Sequence, residues 1–94
     1  MQSLPQLTSA ELAGRQRLIR LTLRAAAAST LRSPKDPQLS AQLIARARTL
    51  TESLARDARD LPDDAIAHFA LESARHFAAE LATLSQRAAQ SESA

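Results

Sequence analysis

The chain contains no cysteine, tryptophan, tyrosine or valine, and it has one glycine and two phenylalanines among its 94 residues. Without cysteine, neither a disulfide framework nor a thiolate metal site is possible. The single glycine, Gly14, excludes a glycine-rich loop for binding phosphate. No nucleophile-elbow sequence accompanies the serines and histidines. These absences argue against an enzyme, and we expect no cofactor.

Alanine and leucine dominate the hydrophobic 45% of the chain, with 21 and 15 residues respectively. Both are strong helix formers, whereas the β-branched and aromatic residues that favour strands are scarce. The composition therefore predicts one all-α domain over residues 1–94. Because alanine buries little surface, the core should be thin, and a second copy or a partner would stabilise it.

Two proline-containing breaks, Pro34–Pro37 and Pro62, divide the chain. They predict helices over about 8–30, 37–60 and 63–90, with frayed termini. Short connections of this kind favour an up-down-up three-helix bundle. The alternative is an extended helical hairpin that completes its core by dimerising.

Local signals mark where the first two helices begin. Thr8 and Glu11 have the spacing of a capping box, in which each side chain satisfies a free backbone N–H. Asp36 is a good N-cap residue, and Pro37 suits the first position of a helix.

Each predicted helix has an apolar stripe at helical spacing that should face the core. The expected core residues are Leu12, Ile19, Leu23 and Ala26 in the first helix, Leu39, Leu43, Ala47, Leu50, Leu54, Ala58 and Leu61 in the second, and Ile66, Ala70, Phe77, Leu81, Leu84 and Ala88 in the third, with Ala74 at its edge.

The first helix has more apolar surface than one neighbouring helix covers, because Leu18, Leu21 and Ala25 form a second stripe. Leu18 and Leu21, together with Phe69 and Leu71 of the third helix, lie off the main stripes. We expect these four leucine and phenylalanine side chains to form a protein-contact surface.

Charge is divided unequally along the chain. Residues 1–48 have a net charge of +6, and residues 49–94 have a net charge of −4. In the predicted bundle, four aspartates lie at the same end as the start of the first helix: Asp57, Asp60, Asp63 and Asp64. Arg15 and Arg17 are their expected partners, through pairs usually worth under about 1 kcal/mol.

Four arginines of the first helix are candidates for contact with anions or nucleic acid: Arg15, Arg17, Arg20 and Arg24. Clustered positive charge is the footprint of a nucleic-acid-binding surface. However, no helix-turn-helix spacing, stacking aromatic or zinc motif accompanies it. A solvated or protein-facing patch is the preferred interpretation, and binding to an anionic membrane surface is a further alternative.

The third helix carries a ladder at steps of four: His68, Glu72, His76 and Glu80. Imidazole and carboxylate groups are ordinary ligands of divalent metals. His68 and His76 are about 12 Å apart along a straight helix, so one ion cannot contact both. The preferred interpretation is an exposed or interfacial stripe. A pH-sensitive contact and a weak metal site are the alternatives.

The sequence thus predicts a non-catalytic helical module for protein–protein interaction: a small adaptor, a chaperone-like protein or a regulatory subunit that forms homo-oligomers. A nucleic-acid-binding accessory protein and a metal- or pH-responsive helical protein are the alternatives. No segment is apolar enough to span a bilayer and no signal-peptide pattern is present, so we expect a cytoplasmic protein. Eleven arginines against one lysine, with abundant alanine, suggest a GC-rich bacterial genome.

Overall fold

The computed structural model describes residues 8–32, 36–61 and 65–93, which form three α-helices. These are α1 (Ser9–Thr30), α2 (Pro37–Arg59) and α3 (Ala65–Ser93). Each helix packs against the other two, in a bundle of 54 × 19 × 18 Å. The predicted all-α three-helix bundle is therefore confirmed, and the single chain does not form the alternative extended hairpin. Within the described residues, no helix combines the length and apolar character needed to cross a bilayer.

The helix starts follow the capping signals. The Thr8 side chain accepts a hydrogen bond from the Glu11 backbone N–H at 3.1 Å, and α1 begins at the next residue, Ser9. The Asp36 carboxylate accepts one from the Leu39 N–H at 3.0 Å, as expected for an N-cap. The predicted start of the third helix, residue 63, lies outside the described residues. Its end at Ser93 is three residues beyond the prediction, because nothing after residue 90 breaks the helix.

The core contains most of the predicted residues. Leu12, Ile19, Leu23, Ala26, Ala47, Leu54, Ala58, Ala70, Phe77, Leu81 and Leu84 are buried, and Leu43, Leu50, Leu61, Ile66 and Ala88 pack against them partly buried. Leu39 is also only partly buried. The sequence pattern missed Ile44 and Ala67, which are buried. It placed Ala74 at the edge of the apolar stripe, whereas Ala74 is buried, with 4% of its surface exposed. The difference arises because each helix contacts two neighbours, so its buried arc is wider than one stripe.

Among the described residues, the polar side chains that enter this thin core are hydrogen-bonded to other side chains or to backbone carbonyls, except that of Thr51. The Ser29 and Ser40 hydroxyls lie 2.7 Å apart and join α1 to α2. Gln16 Nε2 donates to Ser73 Oγ at 2.6 Å and joins α1 to α3. Helix α1 runs antiparallel to α2, since residue 29 contacts residue 40 and residue 15 contacts residue 57. The bond from Gln16 places the first half of α1 beside the first half of α3.

Candidate interaction surfaces

Helix α1 carries apolar rows on two sides, and only one of them faces the core. Leu18 is 42% exposed and Leu21 is 48% exposed, whereas Ile19 is 1% exposed. The exposed row continues in both directions at steps of four and three, and its members are Gly14, Leu18, Leu21, Ala25 and Ala28. That spacing is the one by which two helices pack in a coiled coil. We call these five residues the outer row.

The outer row does not continue to Phe69. Phe69 is 59% exposed on α3. On a regular helix Phe69 is about 40° from Ser73, the α3 residue that contacts α1 through Gln16. Leu18 lies about 160° from Gln16 around α1 by the same geometry. Leu18 therefore points away from α3, and Phe69 on α3 does not adjoin the outer row.

Leu71 lies apart from the other three residues of the predicted contact surface. It is partly buried and packs against the core. It lines a groove between α2 and α3 together with Thr51 and Ala74. Residues 69 and 71 point about 160° apart on a helix, so the structure does not bring the four residues onto one surface, and their contact with a partner stays a prediction.

Among the four arginines predicted as candidates for anion contact, Arg15 instead binds side chains of α2. Its Nη1 atom lies 2.7 Å from Asp57 Oδ2, and its Nη2 atom donates to Ser53 Oγ at 3.1 Å. The expected pairing of Arg15 with the acidic end of α2 is therefore confirmed. Asp63 and Asp64 lie outside the described residues.

The expected ion pair of Arg17 does not form within residues 8–32, 36–61 and 65–93. Arg17 lies about 160° from Arg15 around α1, so the two side chains face opposite sides of the helix. Arg17 is exposed and lies within about 60° of Arg20 and Arg24 on the same side of the helix. The three arginines remain together as a basic face.

A groove of about 430 Å³ lies between α1 and α3, and two residues of this basic face, Arg20 and Arg24, line it. We call it the α1–α3 groove; its lining residues are Arg20, Leu23, Arg24, Ala27, Glu80, Thr83, Leu84 and Arg87. Arg87 was not among the predicted site residues. Nothing in the sequence near Arg87 signals this role, since the side chain reaches the groove through the packing of two helices that are distant in sequence.

The histidine–glutamate ladder separates into local pairs. His76 Nε2 lies 2.8 Å from Glu80 Oε1, and Glu72 Oε2 lies 4.0 Å from Arg75 Nη1. His68 has an interaction of its own. Among the residues that the structure describes, no three His, Cys, Asp or Glu side chains come together as a group able to hold a metal ion.

Comparison with known proteins does not assign the chain to a family or a function. No protein-family model matches the chain, and no curated protein or solved structure matches it. The function must therefore be inferred from these surfaces alone.

Proposed function

We propose that this protein is a non-catalytic helical interaction module that self-associates through the outer row of α1. The observation that carries the proposal is the exposure of Leu18 and Leu21, at 42% and 48%, on a helix whose opposite side is fully buried. The bundle covers one of the two apolar rows of α1 and leaves the outer row exposed. A second copy of the chain would cover it.

The outer row is compatible with pairing to itself. In an antiparallel pair about a twofold axis, Leu18 of one copy would meet Leu21 of the other, and Gly14 would meet Ala25. The leucines would then lie at the centre, while the small residues at the flanks let the two helices approach closely. Because both copies would use the same residues in this twofold contact, association would stop at the dimer.

The expected affinity is low. Covering the exposed parts of four leucines contributes roughly 3–6 kcal/mol. Lost rotational and translational freedom opposes association by about 4 kcal/mol or more. Contacts of the surrounding helix surface must supply the rest, so we expect a dissociation constant of tens of micromolar or weaker.

Arg17 and Arg24 border the outer row, and they give the dimer an unusual dependence on salt. In the antiparallel pair, Arg17 of one copy lies near Arg24 of the other, and like charges repel. Added salt screens this repulsion without weakening the leucine contact. Association should therefore become tighter as salt is raised.

Sedimentation velocity over micromolar to millimolar protein, at about 50 mM and about 500 mM salt, tests the proposal. The wild type should shift from monomer to dimer with concentration, and more readily at the higher salt. The double variant Leu18→Gln, Leu21→Gln should stay monomeric without any change in charge. Leu31→Gln is the matched control, because Leu31 is 74% exposed and lies outside the outer row.

A wild type that stays monomeric at millimolar concentration would refute self-association. Dimers that persist in the double variant would instead refute the outer row as the contact. The proposal includes a cytoplasmic location in a bacterium and a role as an adaptor, chaperone-like protein or regulatory subunit. Its support is the composition alone, and fractionation of the native host is the direct measurement.

A further inference from the structure

We propose that the α1–α3 groove binds the phosphodiester backbone of duplex nucleic acid without reading its sequence. Arg20 and Arg24 on α1 and Arg87 on α3 line this one groove. None of the three forms an ion pair with any residue that the structure describes. Their guanidinium groups present planar sets of donors that match phosphate oxygens.

The acidic residue in the lining does not cancel this charge. Glu80 is the single carboxylate among the lining residues, against three guanidinium groups. Its Oε1 atom is engaged by His76 Nε2 at 2.8 Å, on the outer side of α3. The groove therefore keeps a net positive charge, and Glu80 is held by a partner other than the arginines.

The spacing of the arginines favours an extended polyanion over a single phosphate. Arg17 belongs to the basic face and extends the row of arginines beyond the groove. It lies seven residues from Arg24, or about 10 Å along the helix. Phosphates of one strand of B-DNA are spaced about 3.4 Å along the axis, so that distance spans about three of them. One isolated phosphate cannot contact both ends of the row.

The rest of the lining favours backbone contact over base recognition. The lining contains no aromatic ring for stacking on an unpaired base and no amide side chain for a base edge. Leu23 and Leu84 at the base of the groove are only 3% and 6% exposed, so they offer little apolar area to a peptide. Phosphate contacts made by arginine carry no sequence information.

Binding to duplex DNA is the test, measured by fluorescence anisotropy with labelled duplexes of two unrelated sequences. We expect equal, weak affinity for both. With four phosphate contacts, from Arg17 and the three groove arginines, the slope of log K against log salt should be about −3.6, which is about a 150-fold loss between 50 and 200 mM salt. Dimerisation through the outer row has the opposite salt dependence, so each proposal can fail without the other.

The triple variant Arg20→Ala, Arg24→Ala, Arg87→Ala should bind at least about tenfold more weakly, and its salt slope should fall to about −0.9, since Arg17 remains. Arg46→Ala, Arg56→Ala, Arg59→Ala is the matched control. It removes the same total charge from exposed positions of α2, and it should retain the slope and most of the affinity. Circular dichroism melts establish that both variants are folded.

Three results would overturn the proposal. The first is no binding of the wild type to either duplex at about 20 mM salt. The second is an equal loss of affinity in the triple variant and its control, which would mean that only net charge matters. The third is competition by polyglutamate as strong as that by unlabelled duplex, which would identify an acidic protein as the better ligand.

Discussion

Arg15 and Asp57 connect the first half of α1 to the last turns of α2, with Arg15 Nη1 2.7 Å from Asp57 Oδ2. The arginine side chain is 30% exposed and the aspartate side chain 50%. A second bond from Arg15 to Ser53 Oγ holds the guanidinium group in place. A half-exposed pair contributes little to the free energy of unfolding, but it favours the antiparallel arrangement of these two helices.

A double-mutant cycle with Arg15→Gln and Asp57→Asn should give a coupling free energy of about 0.5 kcal/mol at low salt. The coupling should shrink at about 1 M salt, because the pair is accessible to solvent. Urea unfolding of the four proteins measures it. A coupling that does not respond to salt would contradict an exposed ion pair.

Leu54 is the large core residue whose loss should be most damaging, since it is 0% exposed between two neighbouring helices. Leu54→Ala should lower the free energy of unfolding by about 2–5 kcal/mol, through lost burial and the cavity left behind. Domains have about 5–15 kcal/mol in total, so the variant should be partly unfolded near 37 °C. Leu31→Ala is the control, and it should change stability by less than about 0.5 kcal/mol.

Thr51 has a buried hydroxyl with no hydrogen-bond partner among the described residues. Thr51→Val keeps the shape and removes the unsatisfied group, so it should stabilise the protein by about 1 kcal/mol. Thr22→Val is a matched control, because the Thr22 hydroxyl donates to the Leu18 carbonyl at 2.8 Å. The control should be neutral or destabilising in thermal melts. Equal effects at both sites would mean that the Thr51 hydroxyl is satisfied in solution.

Gly14 lies inside α1, and a Cβ atom added to it would meet no atom within 4 Å apart from its chain neighbours and the backbone of its own helix. Gly14→Ala should therefore stabilise the helix by about 0.5–1 kcal/mol, by reducing the conformational freedom of the unfolded chain. Ala13→Gly, one residue away on an exposed position, should have the opposite effect of similar size. Denaturant unfolding at low protein concentration measures both in the monomer. A destabilised Gly14→Ala would contradict the open space around this residue.

Local features of the fold could be predicted because their causes lie within a few residues. The capping of α1 by Thr8 and of α2 by Asp36 depends on hydrogen bonds that span three residues. The main apolar stripes depend on the period of the helix alone. Ile44 and Ala67 were missed because their burial depends on a second neighbouring helix.

The candidate surfaces were less predictable, because they combine residues from different helices. The basic face of Arg17, Arg20 and Arg24 follows from the helical period, but the hydrogen-bond partners that hold Arg15 required the positions of Ser53 and Asp57. Arg87 joins that face only through the packing of α3 beside α1. Phe69 and Leu71 are two residues apart, and yet one is exposed and the other packs against the core.

The sequence by itself determined that this protein forms three helices and that α1 has apolar rows on two sides, since helix formation, capping and periodicity are local. The tertiary structure decided which residues beyond the main stripes are buried and which arginines face a groove. Those outcomes depend on the rotation and register of one helix against another, and residues far apart in the chain set both.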